Sequence, residues 1–213
     1  MLLLAAALLC ISTAPAPAAA ESPQPVDAGW ILAKLARPVP SRTGFVELRD
    51  SKLLKAPLRI AGEYRRPDAD TLVREVHTPY AETTTIHAGE VSIARAGKSP
   101  RTFSLSRAPE LAGLQASFGA LLSGDRKQLE QHYALASQGS RERWALVLVP
   151  KDAAMAAKVR AIALYGRGAE LRCIETRPAA PGEVQRTLLA GAAREAADVA
   201  TGAALAALCH AAK

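Results

Sequence analysis

Aromatic side chains are scarce in this chain of 213 residues, at 4%. That scarcity bears on its charge, which is +7 with an isoelectric point near 9.6. A protein that holds single-stranded nucleic acid needs aromatic faces for the bases and a continuous basic track for the phosphates. Here Lys and Arg are interleaved with Asp and Glu, and no basic arm occurs. Nucleic acid is therefore not an expected partner, and a weak preference for anionic lipid surfaces accounts better for the excess charge. Cysteine is equally sparse, with three residues. Cys10, Cys173 and Cys209 have no metal-ligand spacing, and His77, His87, His132 and His210 are scattered, so no metal and no cofactor is expected. Missing too are a G-x-S-x-G elbow, an H-E-x-x-H helix and a phosphate-cradling G-x-x-x-x-G-K. Catalysis has no support, and the expectation is a protein that is not an enzyme.

No apolar run is long enough to cross a bilayer. The first twenty residues, "MLLLAAALLCISTAPAPAAA", carry no charge and hold a short apolar stretch from Leu2 to Ile11. Small residues around Ala18 to Ala20 follow, just before Glu21. This predicts a cleaved secretory signal peptide over 1–20, although its start lacks the usual Lys or Arg. An N-terminal anchor helix is the alternative. Lipid attachment at Cys10 is rejected because Leu9 stands where a small residue is required. Removal of the signal leaves Cys173 and Cys209, which in an exported protein are a candidate disulfide. Two unpaired thiols are the other possibility.

What is present is a change of period along the chain. In "VDAGWILAKLA" (26–36), Asp27 is a helix N-cap candidate, Trp30, Ile31 and Leu35 share a face, and Pro38 and Pro40 stop the helix. From Gly44 onwards, "FVELRDSKLL", "PLRIAGEYRR", "TLVREVHT", "ETTTIHAG", "EVSIARAG" and "RTFSLSR" are short segments separated by turn residues. No gap between them holds a crossover helix, so they predict antiparallel strands. Residues 108–133 then place Leu111, Leu114, Phe118, Leu121 and Leu122 at helical spacing, with Gly124 as a C-cap and Asp125 starting a second, shorter helix. Strands return in "ERWALVLVP", "VRAIALYG", "ELRCIETR" and "EVQRTLLAG", and the alanine-rich tail from Ala192 predicts a helix.

The strand "LRIAGEYRRPD" (58–68) is the informative one. Alternation puts Leu58, Ile60, Gly62 and Tyr64 on one face, and that same face ends in Arg66, immediately before Pro67. Acidic residues mostly fall opposite basic ones, as Glu63 does between Arg59 and Arg65 on the other face, and read as solvated strand faces rather than catalytic acid/base pairs.

In order and spacing, "FVELRD", "GEYRRPD", "E-x-x-x-I-H-A-G", "LLSGD" and "RWALVLVP" resemble the periplasmic outer-membrane lipoprotein carriers, the LolA/LolB-like family, from about Phe45 to Leu189. The D-G-x-x-x-W-x-Y pattern of that family's middle strands is missing from "AGEVSIARAGKSPRTFSL", which marks a divergent member. The resemblance implies a mainly β fold with some α. Its sheet of about ten or eleven strands would form an incompletely closed antiparallel β-barrel beneath a lid of short helices. One domain would occupy 21–191, followed by a C-terminal helix over 192–213. It further implies a periplasmic, monomeric carrier of a lipoprotein's acyl chains or similar apolar cargo, with an inner-membrane donor complex and an outer-membrane acceptor as partners. The cargo-facing candidates are Trp30, Leu58, Ile60, Tyr64, Leu111, Leu114, Phe118 and Leu121. By the same resemblance, Arg66 turns inward and hydrogen-bonds to the lid, holding it closed. Water-exposed snorkelling of Arg66, or an inward Arg65 in a bulged register, are the alternatives. Rival readings of the whole chain are an exported lipid-modifying hydrolase, a carrier of a glycolipid or polyene, and a permanently docked structural module.

Overall fold

The computed structural model describes residues 25–49, 56–105, 121 and 123–210. The signal segment, Leu111, Leu114 and Phe118 lie outside the described residues.

Asp27 begins the first helix, α1 (Ala28–Leu35), by accepting the Trp30 N–H at 3.0 Å on its carboxylate. Ala28, Ile31, Leu32 and Leu35 are buried, while Trp30 is half-exposed at the edge of that face. Six strands follow: β1 (Ser41–Arg49), β2 (Leu58–Arg66), β3 (Leu72–Thr78), β4 (Glu82–His87), β5 (Glu90–Arg95) and β6 (Arg101–Ser104). After Gly124 and the Asp125 N-cap come α2 (Arg126–His132), β7 (Tyr133–Gly139), β8 (Trp144–Pro150) and α3 (Ala153–Ala156). The chain then forms β9 (Val159–Arg167), β10 (Glu170–Pro178), β11 (Gln185–Leu189), α4 (Ala190–Glu195) and α5 (Gly202–His210).

All eleven strands form one antiparallel sheet in the order β6-β5-β4-β3-β2-β1-β11-β10-β9-β8-β7. Two meanders are thus joined back to back at β1 and β11, where Phe45 faces Leu189. The outer edges are β6 and β7, the strands on either side of the inserted segment, and the sheet does not close on itself. The protein is therefore a mainly β open barrel with a few helices. Its eleventh strand, β7, has no counterpart in the sequence reading, where Tyr133 ended a helix. "YALASQG" has little β-branched character, but its alternation is real: Tyr133 is buried, Leu135 and Ser137 are half-buried, and Ala134 and Ala136 are exposed. Pairing with the apolar β8 overrides the weak local preference. The alanine-rich tail also differs from a single helix, since it breaks at residues 196–201 into α4 and α5.

The two faces of the sheet carry separate cores. On the inner face, Ile31, Leu32 and Leu35 of α1 pack with Phe45, Ile60, Val76, Trp144, Leu146, Leu164 and Leu189, joined by Leu129 of α2 and Met155 of α3. On the outer face, Val46, Leu48, Cys173 and Leu188 pack against Ala192, Ala196, Leu205 and Cys209, so the tail helices cover the back of β1, β10 and β11. A disulfide between Cys173 and Cys209 fastens α5 to β10.

Two glycines show how closely the backbone is packed. A Cβ at Gly62 would lie 1.8 Å from the Glu75 carbonyl oxygen, at the register shift between β2 and β3. Gly124 takes a left-handed φ of +75°, and a Cβ there would press on Ala36 and on the Leu32 carbonyl at 3.2 Å. The left-handed backbone and the close approach of this turn to the end of α1 both favour glycine at this point.

Candidate functional site

The inner face of β2 is the one its alternation predicts. Leu58, Ile60 and Tyr64 belong to the inner core, whereas Ala61 packs with the outer one. Arg66 ends this face and is buried, at 8% exposure. Its Nη1 lies 3.5 Å from the carbonyl oxygen of Arg37, in the segment that follows α1. Arg65 pairs with Glu75 on the neighbouring strand. The Arg37 side chain binds the same segment to the sheet, donating to the carbonyls of Lys34 at 2.9 Å and Ala169 at 2.6 Å.

A cavity of about 120 Å³ opens at this end of β2. Leu35 from α1, Leu72 from β3, Leu171 from β10 and Leu189 from β11 form its apolar wall, and Arg37, Tyr64 and Arg66 are prominent on its polar side. Tyr64 thus lines the cavity directly. Leu58 and Ile60 stand on the same strand face further along, Leu121 is buried in the same core, and Trp30 sits at the outer edge of α1. There its ring is flanked by Lys34 and Arg141, whose charged groups are 5.9 and 5.5 Å from its centre.

Below Tyr64 lies a feature that the sequence reading missed. Glu47 is 2% exposed and faces inward, although acidic residues were read as solvated. It accepts the Arg74 Nη2 at 3.0 Å and the Thr187 hydroxyl at 3.0 Å. Arg74 in turn lies over the Phe45 ring, 4.7 Å from its centre, and Phe45 meets Tyr64 with ring centres 4.8 Å apart. Burial, followed by the negative charge of Glu47, pushes the Tyr64 phenol up to about 12, with Arg74 acting in the opposite direction. Tyr64 is accordingly neutral at any physiological pH. The signal for this network was present in "FVELR", since alternation places Glu47 on the same face as Phe45.

Two other clusters could in principle support chemistry. Thr71 Oγ1 is 2.9 Å from both His87 Nδ1 and Asp68 Oδ2. Asp68 meets the hydroxyl rather than the imidazole, and it also accepts the N–H groups of Asp70 and Thr71. The Thr71 bond is the main cause holding the Asp68 carboxyl below its usual range. This arrangement closes the β2–β3 turn and does not orient a base toward a nucleophile. On the outer face, ligand atoms of Glu175, Cys209 and His210 lie within 4.8 Å of one another. However, Cys209 is bonded to Cys173, and Glu175 already accepts from Arg177 at 2.9 Å, Arg186 at 2.8 Å and His210 at 2.9 Å. These donors are occupied in fastening the tail.

Comparison with known proteins agrees with the sequence resemblance. The family described as outer membrane lipoprotein carrier protein LolA-like matches residues 19–212. A crystal structure of a LolA superfamily protein from Nitrosomonas europaea is 14% identical and covers 78% of this chain and 92% of its own, with a TM-score of 0.39. LprF from Mycobacterium bovis is 12% identical and covers 77% of this chain and 91% of its own, with a TM-score of 0.32. No curated protein matches the chain. Among the described residues, no helix is long and apolar enough to cross a membrane.

Proposed function

The chain belongs to the LolA-like family of outer membrane lipoprotein carrier proteins, and on that premise we propose that it is a periplasmic carrier that shelters an acyl or similar apolar chain against the inner face of its open barrel. It then hands that chain on toward the outer membrane. The observation that carries this reading is the cavity beneath the end of α1, with leucines on one wall and Arg66 tying the segment after α1 to the sheet. A cavity of this size accepts a group about as large as benzene. A long chain therefore enters only if α1 moves aside.

The energetics suit a carrier. Each methylene removed from water is worth ~0.8 kcal/mol, so a chain of roughly fourteen to sixteen carbons gains on the order of 10 kcal/mol. Lifting Ile31, Leu32 and Leu35 away from the sheet would cost about 6 kcal/mol, at roughly 2 kcal/mol for each side chain. The difference of several kcal/mol is enough to hold a guest and small enough to release it. The test is titration of the full chain with an environment-sensitive fluorescent fatty acid. Saturable, one-to-one binding that non-fluorescent acyl chains displace is the expected result. No binding at concentrations where the probe remains monomeric would overturn the proposal.

A further inference from the structure

The charges around the cavity do not balance. Among its lining residues, Arg65 is paired with Glu75. Glu170 accepts the Gly191 N–H at 2.6 Å and lies 3.8 Å from Arg172. This leaves Arg37 and Arg66, and neither forms a salt bridge with a carboxylate among the described residues. Arg37 is exposed, with its Nη atoms on backbone carbonyls. Arg66 is the unusual member. It is buried, carries five donors on a fixed planar fork, and its side chain has, among the described residues, a single hydrogen bond, at 3.5 Å, to a neutral oxygen. Other inner-face arginines are answered differently, since Arg74 meets Glu47 and Arg95 meets Glu82 on an adjoining strand. The remaining donors of Arg66 are not among the fully enclosed, unsatisfied side-chain nitrogens of the described residues, which belong to Arg59 and Arg65. Arg66 lines the cavity, where an arriving anion can take those donors. A planar guanidinium is also the side chain best matched to the oxygens of a carboxylate or phosphate.

We propose that this cavity receives the anionic head of a single-chain amphiphile, a carboxylate or phosphate group, with Arg66 as its main partner and Arg37 beside the entrance. This rests on the carrier reading and specifies the cargo, because the chain of such a molecule continues from the head along Leu35, Leu72, Leu171 and Leu189. A neutral chain of equal length gains the same apolar burial but leaves Arg66 unanswered. The site therefore distinguishes an acid from an alcohol of the same length.

The experiment is displacement of a neutral fluorescent acyl probe from the full chain, at neutral pH and low salt, by dodecanoate, dodecyl phosphate, dodecanol and inorganic phosphate. Dodecanoate or dodecyl phosphate should compete at least tenfold more tightly than dodecanol, and the tighter of the two identifies the head group. In Arg66→Gln that ratio should fall toward one. Arg37→Gln, at an exposed position, should lower it less and serves as the second variant should Arg66→Gln fail to fold. Equal competition by acid, phosphate ester and alcohol in the wild-type chain would overturn this inference and leave the carrier reading standing. Failure of all the chain-bearing ligands, together with no binding of the probe, would overturn both. Inorganic phosphate competing as well as dodecyl phosphate would show an anion site without a chain, and would also overturn it.

Discussion

The Thr187 hydroxyl donates to Glu47 Oε1 at 3.0 Å, and this bond joins two strands separated by 140 positions in the sequence. It lies at the junction of the two meanders, where β1 pairs with β11. The other carboxylate oxygen of Glu47 holds Arg74 of β3. One buried carboxylate thereby connects the first, third and last strands beneath the cavity.

Glu47→Ala should consequently be severely destabilising. It leaves Arg74 without its carboxylate partner, and breaking such a buried pair costs about 3–5 kcal/mol. Thr187→Val removes one donor and should cost only about 1 kcal/mol. Urea unfolding of the two variants checks the order. Equal midpoints for Glu47→Ala and wild type would show that the network does not hold the strands together.

The disulfide between Cys173 and Cys209 closes a segment with a sequence separation of 36. Loop-closure arithmetic gives it a value on the order of 3–4 kcal/mol. Cys209→Ser should lower the thermal midpoint by several degrees and make the tail near His210 susceptible to proteases. It should not change binding at the inner face, because α5 lies on the opposite side of the sheet. Identical melting with and without a reductant, once free-thiol titration has confirmed reduction, would contradict this assignment.

Acid should loosen the same tail. Burial alone would raise the carboxyl of Glu175, but hydrogen bonds from Arg177 and His210 and the charge of Arg186 outweigh it and hold the group below its usual range. A carboxylate depressed in the folded state stabilises that state fully above its unfolded pKa, near 4.3 for glutamate. The contribution is lost as pH falls through the lower folded value. The wild-type chain should therefore lose stability below about pH 4.5, and Glu175→Gln should show a shallower dependence over that window. Parallel curves for the two proteins would remove Glu175 from the account.

At the other end of the scale, Tyr64 should ionise late. Its phenol, pushed up to about 12 by burial, remains protonated in the folded chain while an unfolded chain ionises near 10. Alkaline titration of tyrosinate absorbance should show a last step near pH 12 or on unfolding that belongs to Tyr64, with Tyr165, which burial also raises, preceding it. The step should be absent in Tyr64→Phe. Four tyrosines rising together in a chain still folded by circular dichroism would contradict the raised phenol of Tyr64.

Much of this architecture is legible in the sequence where one physical rule acts alone. The face of β2 follows from two-residue alternation, and the start of α1 follows from an aspartate three positions before the N–H it accepts. The strand β7 was not legible, because its alternation is carried by Ala, Ser and Gly and becomes decisive only once β8 lies beside it. Glu47 and Arg74 were hidden for a different reason. A charged residue in a strand is normally solvated, and although alternation puts Glu47 on the face of Phe45, only the sheet order β3-β2-β1-β11 brings Arg74 and Thr187 to it. The tail broke where "DVATG" interrupts an alanine series whose helical preference gives no indication of where a bend should fall.

The central claim is that α1 leaves the sheet to admit an acyl chain. Native mass spectrometry of the full chain, purified from the envelope of its own cells without detergent exchange, tests it most directly. The account predicts a population heavier by the mass of one lipid-like molecule, dissociating in the gas phase to the bare protein. A single bare species from envelope-derived material, unchanged after incubation with excess fatty acid, would contradict it.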